Sequence, residues 1–186
     1  MSAAKVKAKT AWVVRAPRTA PCGFTLIELM VTLAVAAVLL AVAIPSYRTM
    51  ILNNGQDSVV DAVMTALNYA RNTALSGNQS ITLCPNGGGV CGPTWNTGWI
   101  VTATPVAAPP LTTTQPKGSA TVSTIGGSVT LVFSARGLVT GSDTFIVCDS
   151  RGSTFARAVA VNPIGYAQAS QTRGFAPDGT TPLVCP

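Results

Sequence analysis

Apolar positions along this chain fall into three regimes. Residues 24–44, FTLIELMVTLAVAAVLLAVAI, form a run interrupted only by Thr25, Glu28 and Thr32, with Glu28 its single charge. As a helix this run would extend about 31 Å, enough to cross the hydrocarbon layer of a bilayer. Residues 46–76 change period. Val60, Val63, Met64, Leu67, Ala70 and Leu75 recur mostly three or four residues apart, while Asp57, Asp61, Asn68, Arg71 and Asn72 fall mostly on the other side. That spacing predicts an amphipathic continuation of the helix, packed on a sheet. Asn53-Asn54-Gly55 weakens its middle and is the place for a kink, and Gly77-Asn78 ends it.

In the third regime short apolar or β-branched runs lie between Gly, Asn, Asp and Ser. They predict strands over 80–84, 98–102, 128–133, 144–148, 156–161 and 164–167. Asn162-Pro163-Ile164-Gly165 reads as a tight connection. Residues 103–120, with Pro105, Pro109, Pro110 and Pro116, read as a long exposed loop. The predicted class is α+β: one long N-terminal helix followed by antiparallel sheets of about six strands. No internal repeat is evident.

Composition then narrows the function. The 186 residues include no His, which removes Ser-His-Asp and Cys-His catalysis and every His-containing zinc site. Six carboxylates remain for acid-base work, so an enzyme is not expected. The net charge of +6 is a local property. Lys5, Lys7, Lys9, Arg15 and Arg18 all precede Gly23, in a stretch without acids. From Phe24 onward seven basic residues face six acidic ones, so the body of the chain is close to neutral. The basic balance therefore says little about nucleic acid. It does orient the apolar run, since the positive flank stays cytoplasmic and the C-terminal part lies outside.

Three readings of that run compete. It is a plain membrane anchor, or a signal peptide cut after Ala41-Val42-Ala43, or a helix whose carboxylate has a purpose. A lipoprotein signal is excluded, because no apolar run precedes Cys22. A carboxylate within a spanning helix costs a few kcal/mol and needs a partner. Cleavage after Gly23 would make Phe24 a new N-terminus and Glu28 the fifth residue. Glu28 could then pair with the terminal ammonium of a neighbouring chain as helices stack in a filament.

The stretch GFTLIELMVTLAVAAVLLAVAIPSY, residues 23–47, resembles the class III signal of type IV pilins and pseudopilins. The resemblance implies cleavage between Gly23 and Phe24 by a prepilin peptidase, which also methylates the new amine of Phe24. It implies that Glu28 is the assembly carboxylate. Residues 1–23 are then a leader peptide, 24–44 the transmembrane and assembly helix, 45–76 its amphipathic continuation, and 77–186 a β-rich globular domain containing the loop 103–120.

Export makes the cysteines disulfide candidates. Cys22 would leave with the leader, and the other four allow three connectivities. Cys84 and Cys91 enclose Pro-Asn-Gly-Gly-Gly-Val, a flexible loop that closes easily. Cys148 would then pair with Cys185 and staple the C-terminal tail to a strand. A zinc site built from all four cysteines is the rival, disfavoured by an oxidising compartment.

Further stretches, ITLCPNGGGVC (81–91), WNTGWI (95–100), VTLVFSARGLVTGSDTFIVCDSRG (129–152), ARAVAVNPIGYAQ (156–168) and DGTTPLVCP (178–186), resemble the FimT/GspH group of minor pilins and type II secretion pseudopilins. The paired cysteines and the CDSRG block are closer to the FimT branch. The resemblance implies a pilin fold and a low-copy subunit near a pilus tip that helps initiate assembly. Its implied partners are prepilin peptidase, other minor and major pilins, and the inner membrane, with the C-terminal domain periplasmic before assembly. It implies no cofactor. The alternative it leaves is the H pseudopilin of a type II secretion system.

Some members of that branch bind DNA through a Gly-Arg-x-Arg motif, in which two arginines contact phosphates. The matching place here is Gly165-Tyr166-Ala167-Gln168, where neither arginine is present. Arg173, Arg151 and Arg157 are the candidate substitutes, with Tyr166 a candidate stacking platform. Set against this is the plainer reading that they are ordinary surface and strand residues.

Other candidates reduce to structure. Gly87-Gly88-Gly89 lacks the Lys-Ser/Thr and the helix of a phosphate loop. Trp95 and Trp99 fit core packing better than a sugar platform. Asp57 and Asp61, one helical turn apart, fit a solvated face better than a cation site.

Overall fold

The computed structural model describes residues 23–106, 109–116 and 118–186. The leader up to Cys22, and Lys117 in the proline-rich stretch, lie outside the described residues. The chain divides into two compact units, one ending at Ala43 and one running Ile44–Pro186.

The first unit contains the start of helix α1 (Leu26–Gly77). Thr25 caps it: its hydroxyl accepts from the Glu28 N–H at 3.2 Å, and its carbonyl from the Leu29 N–H at 3.1 Å. Such a cap contributes about 1 kcal/mol by satisfying a donor left open at the helix start. Glu28 lies in the first turn, where the helix dipole favours negative charge. Every side chain from Gly23 to Ala43 is exposed. By length and composition α1 can cross a membrane, and none of its apolar window is buried.

In the second unit α1 carries Pro45 inside it and continues through the Asn-Asn-Gly segment to Gly77. Gln56, Val59, Val60, Val63, Ala66, Leu67, Ala70 and Ala74 are buried on one face. Burying each Val or Leu there contributes about 1.5–3 kcal/mol, and Leu67→Ala would cost about 2–5 kcal/mol. The predicted stripe differs at its end, where Leu75 is exposed. After Gly77, Asn78 adopts a left-handed conformation with φ 46°. The Gln79 N–H reaches back to the Ala74 carbonyl at 3.3 Å, as at many helix C-termini.

Nine strands follow among the described residues, rather than about six. They are β1 (Ile81–Pro85), β2 (Trp99–Ala103), β3 (Thr112–Thr114), β4 (Thr121–Thr124), β5 (Leu131–Phe133), β6 (Val139–Thr140), β7 (Thr144–Cys148), β8 (Arg157–Val161) and β9 (Ala167–Ala169). They build two antiparallel sheets, one ordered β3-β2-β1-β5-β6 and the other β4-β7-β8-β9. The predicted loop 103–120 thus contains an edge strand, with Thr112 opposite Val101 and Thr114 opposite Trp99. The strand expected over 164–167 begins only at Ala167. Residues 162–165 are a turn closed by the Gly165 N–H on the Asn162 carbonyl at 2.9 Å, and Ile164 stands exposed upon it.

The helix face packs against the inner faces of both sheets. Val59, Val63, Leu67 and Ala70 share one core with Ile81, Leu83, Trp99, Leu131 and Phe133 of the first sheet and Phe145, Val147 and Val159 of the second. Trp95 meets Phe145 edge to face, with centroids 4.8 Å apart, and its indole N–H donates to the Ser128 carbonyl at 3.0 Å. Period-two alternation sends Ile146, Cys148 and Ala158 into a second, smaller core with Ala156 and Leu183.

Candidate functional site

The amino-terminal candidates lie in the first unit. Gly23 has open space around it, since a Cβ built there meets nothing within 4 Å. Among the described residues, nothing packs against this position in a way that requires glycine. Phe24 is 79% exposed. Glu28 is exposed one helical turn later, with no ion pair to its carboxylate among the described residues.

Three of the four candidate DNA contacts converge on one turn of α1. Arg151 Nε and Nη2 grip the Asp149 carboxylate at 2.6–3.2 Å. Its Nη1 donates to Asn53 Oδ1 at 2.9 Å, and its guanidinium lies 4.5 Å over the Phe155 ring. Arg157 Nη1 donates to Asp57 Oδ1 at 3.2 Å. Arg173 Nη1 donates to Gln56 Oε1 at 2.6 Å, and its Nη2 donates to both Asp57 oxygens at 3.0 Å. All three arginine side chains are mostly buried. Burial pushes the Asp149 carboxyl up, but the hydrogen bonds and charge of Arg151, helped by the charge of Arg173, outweigh it and hold the pKa below the ordinary 3.8. The cluster clamps residues 53–57 to the loops and strand of the second sheet. This contact offsets the low helix propensity of Asn53-Asn54-Gly55.

Tyr166 is elsewhere. Its exposed ring carries the Arg71 guanidinium 4.4 Å above the centroid. Arg71 lies fourteen residues beyond Asp57 on the same helix, a rise of about 21 Å. The three arginines and Tyr166 therefore do not form one constellation. The sequence reading placed Arg71 on the polar side of the helix and gave it no role; only its neighbourhood in space identifies it.

The four cysteines of the globular part are all in disulfides. Cys84 bonds Cys91 and Cys148 bonds Cys185, with Cα atoms 5.4 and 6.0 Å apart. Between Cys84 and Cys91, Asn86 Oδ1 accepts from the Gly88 and Gly89 N–H groups at 2.9 Å each, while the Asn86 N–H donates to the Gly98 carbonyl at 2.9 Å and its carbonyl accepts from the Thr97 hydroxyl at 2.8 Å, so this stretch is a turn tied to the start of β2. The second bridge fixes the tail over the smaller core. Trp95 and Trp99 are buried. Asp57 is occupied by arginines, and no group of three or more metal-ligating side chains occurs among the described residues.

Comparison with known proteins adds two family matches. The model for "Type II transport protein GspH" matches residues 59–165, and that for the prokaryotic N-terminal methylation motif matches residues 18–44. The methylation motif implies processing by a prepilin peptidase and assembly with other pilins. A comparison with curated proteins found no match. Among solved structures, the type IV minor pilin FimU of Pseudomonas aeruginosa is similar in two crystal forms. In one the TM-score is 0.55 at 23% identity, over 72% of this chain and 96% of FimU. In the other it is 0.54 at 21% identity, over 70% of this chain and 99% of FimU. At that identity the likeness is one of fold: a long N-terminal helix packed on antiparallel sheets. With the GspH model spanning more than half of its length, the chain belongs to the GspH family and is a pilin-like protein of the GspH/FimT group.

Proposed function

We propose that this protein is a minor subunit of a type IV pilus, cut and methylated by a prepilin peptidase and acting where pilus assembly begins, in a complex with other pilins at the tip. The role is structural rather than catalytic. The observation that carries it is the exposed Gly23-Phe24 junction, where no contact among the described residues calls for glycine. A requirement from outside the chain, the peptidase, accounts for that residue. The exposed apolar segment of α1 then anchors the subunit in the inner membrane, with residues 77–186 on the periplasmic side. Glu28 lies one turn from the new amine of Phe24, so the carboxylate of one subunit meets the ammonium of the next in a medium where neither is tolerated alone. The likeness to FimU, a minor pilin, supports the pilus over the secretion machine.

The internal ion pairs of Arg151, Arg157 and Arg173 weigh against these residues as phosphate contacts, and with them against a DNA-binding tip. The test is the mass of the mature protein together with its presence in sheared filaments. A processed, N-methylated chain beginning at Phe24 and recovered with filaments is the expected result. A chain that keeps residues 1–23, or a deletion that leaves filament number unchanged, refutes the proposal.

A further inference from the structure

Arg71 is a half-buried cation without an acceptor. Its Nε is buried and unpaired, and its contact with Tyr166 is the one interaction of its guanidinium among the described residues. Two turns press on it. A Cβ at Gly137 would lie 3.2 Å from Leu75 Cδ2 and 3.3 Å from Arg71 Nε. A Cβ at Gly165 would collide with the Gly137 carbonyl and lie 3.0 Å from Arg71 Nε. Both glycines have positive φ, 76° and 81°, so the turns can close over the guanidinium only as glycines. The Val139 N–H bonds the Pro163 carbonyl at 2.9 Å and holds the two turns together.

Around this half-buried charge the surface is apolar. Leu75, Leu138, Ile164 and Tyr166 are 43–59% exposed. Arg136, exposed beside Gly137, adds a second cation with no ion pair among the described residues. A guanidinium ringed by exposed aliphatic and aromatic side chains has the composition of an interface hot spot. A charge held this way gains most when an acceptor arrives and water leaves with it.

We infer that the patch centred on Arg71 and Tyr166 docks another subunit of the assembly, through a carboxylate set within an apolar face of that subunit. The inference deepens the assembly reading and rests on it. Charge complementarity and the chain's own inventory select the occupant. A nucleic acid offers no counterpart to Leu75, Leu138 and Ile164. A second copy offers Asp61 as the free carboxylate of its globular unit, because Asp57 and Asp149 are paired, Asp143 holds backbone N–H groups and Asp178 holds its own turn. Asp61 lies on a polar face with Asn54, Ser58, Thr65, Asn68 and Asn72, all exposed, which does not match an apolar patch.

The test uses the full chain in assembling cells, with Leu138 replaced by photoreactive benzoylphenylalanine. Wild-type Arg71 should give a cross-link to a different pilin, at a peptide containing Asp or Glu among apolar residues. Arg71→Glu and, separately, the exposed substitution Ile164→Ser should each lower the cross-link by roughly tenfold or more, as loss of a hot-spot contact does. Unchanged mobility on non-reducing gels checks that both variants keep their disulfides. Exchanging the partner's carboxylate for Arg should restore the cross-link of Arg71→Glu. A cross-link that survives both variants, a cross-link to a peptide without a carboxylate or to a second copy, or protection of position 138 by a single-stranded oligonucleotide overturns the inference. Glu28→Ala separates the two levels. If it is excluded from filaments while Arg71→Glu and Ile164→Ser enter normally with full cross-linking, only the docking patch fails. If Glu28→Ala also enters, the assembly reading fails.

Discussion

Arg173 holds both oxygens of the Asp57 carboxylate at 3.0 Å across 116 residues of sequence. It ties the loop after β9 to the helical turn where α1 first buries a side chain, Gln56. Arg157 shares the same carboxylate, so one acid answers two cations.

Asp57→Ala leaves Arg157 and Arg173 without their carboxylate. Asp57 is itself 43% exposed, so solvent screens part of the loss, and a cost of about 1–2 kcal/mol is expected. Thermal melting should show a fall of several degrees for Asp57→Ala. An unchanged melting temperature would mean that the clamp contributes nothing to stability.

Acid should loosen the same region. Asp149 has a folded pKa below its ordinary 3.8, so the stability it contributes is complete above about 3.8 and is lost as pH falls through the folded value. Asp178, held at about 2 by the Thr181 hydroxyl and the N–H groups of Thr181 and Thr180, acts with the same sign, its contribution fading as pH falls from about 3.8 to about 2. Denaturant titrations at pH 5 and pH 2.5 should show the wild type losing stability on acidification. Asp149→Asn should lose less over that interval. An equal loss in the two proteins would remove Asp149 from the account.

The disulfides should differ in weight. The loops they close have sequence separations of 7 and 37 residues. In the chain-entropy picture Cys185→Ser costs about 3–4 kcal/mol and Cys91→Ser about 2–2.5 kcal/mol. Cys185→Ser also uncovers Ile146 and Ala158, which should raise binding of a hydrophobic dye. The reverse order of melting temperatures would contradict the ranking by loop length.

Processing and incorporation should separate at two residues. Gly23→Val should leave the leader attached, since the fold has room for the side chain but the peptidase must accept it. Glu28→Ala should be cut normally and yet be scarce in sheared filaments. Mass spectrometry of the membrane and filament fractions distinguishes these outcomes. A normally processed Gly23→Val would move the cleavage site elsewhere.

What the sequence reveals depends on how local the cause is. Residues 23–28 are legible because their chemistry lies in one short stretch. The buried stripe from Val60 to Ala70 is legible because a helix repeats its face every three or four residues. Thr112–Thr114 gave no such signal: three identical polar residues show no alternation, and their strand exists because β2 offers it an edge. Val139–Thr140 is too short to have a period. Ile164 misled, because an apolar residue suggested a strand where Asn162 and Gly165 close a turn. Arg71 and the partners of Asp57 were illegible for another reason. Residues 95 to 116 positions apart meet only when both sheets have formed against the helix.

The two bridges also differ in when they can exist. Cys84 and Cys91 sit on either side of one turn and can join before most strands have been made. Cys185 is synthesised after every strand of both sheets, so the bond to Cys148 comes after them. Until then Ile146, Ala156 and Ala158 lie uncovered on the outer face of the second sheet. While the second bridge is open that apolar face is available for association, and the supply of oxidant sets how long it stays so.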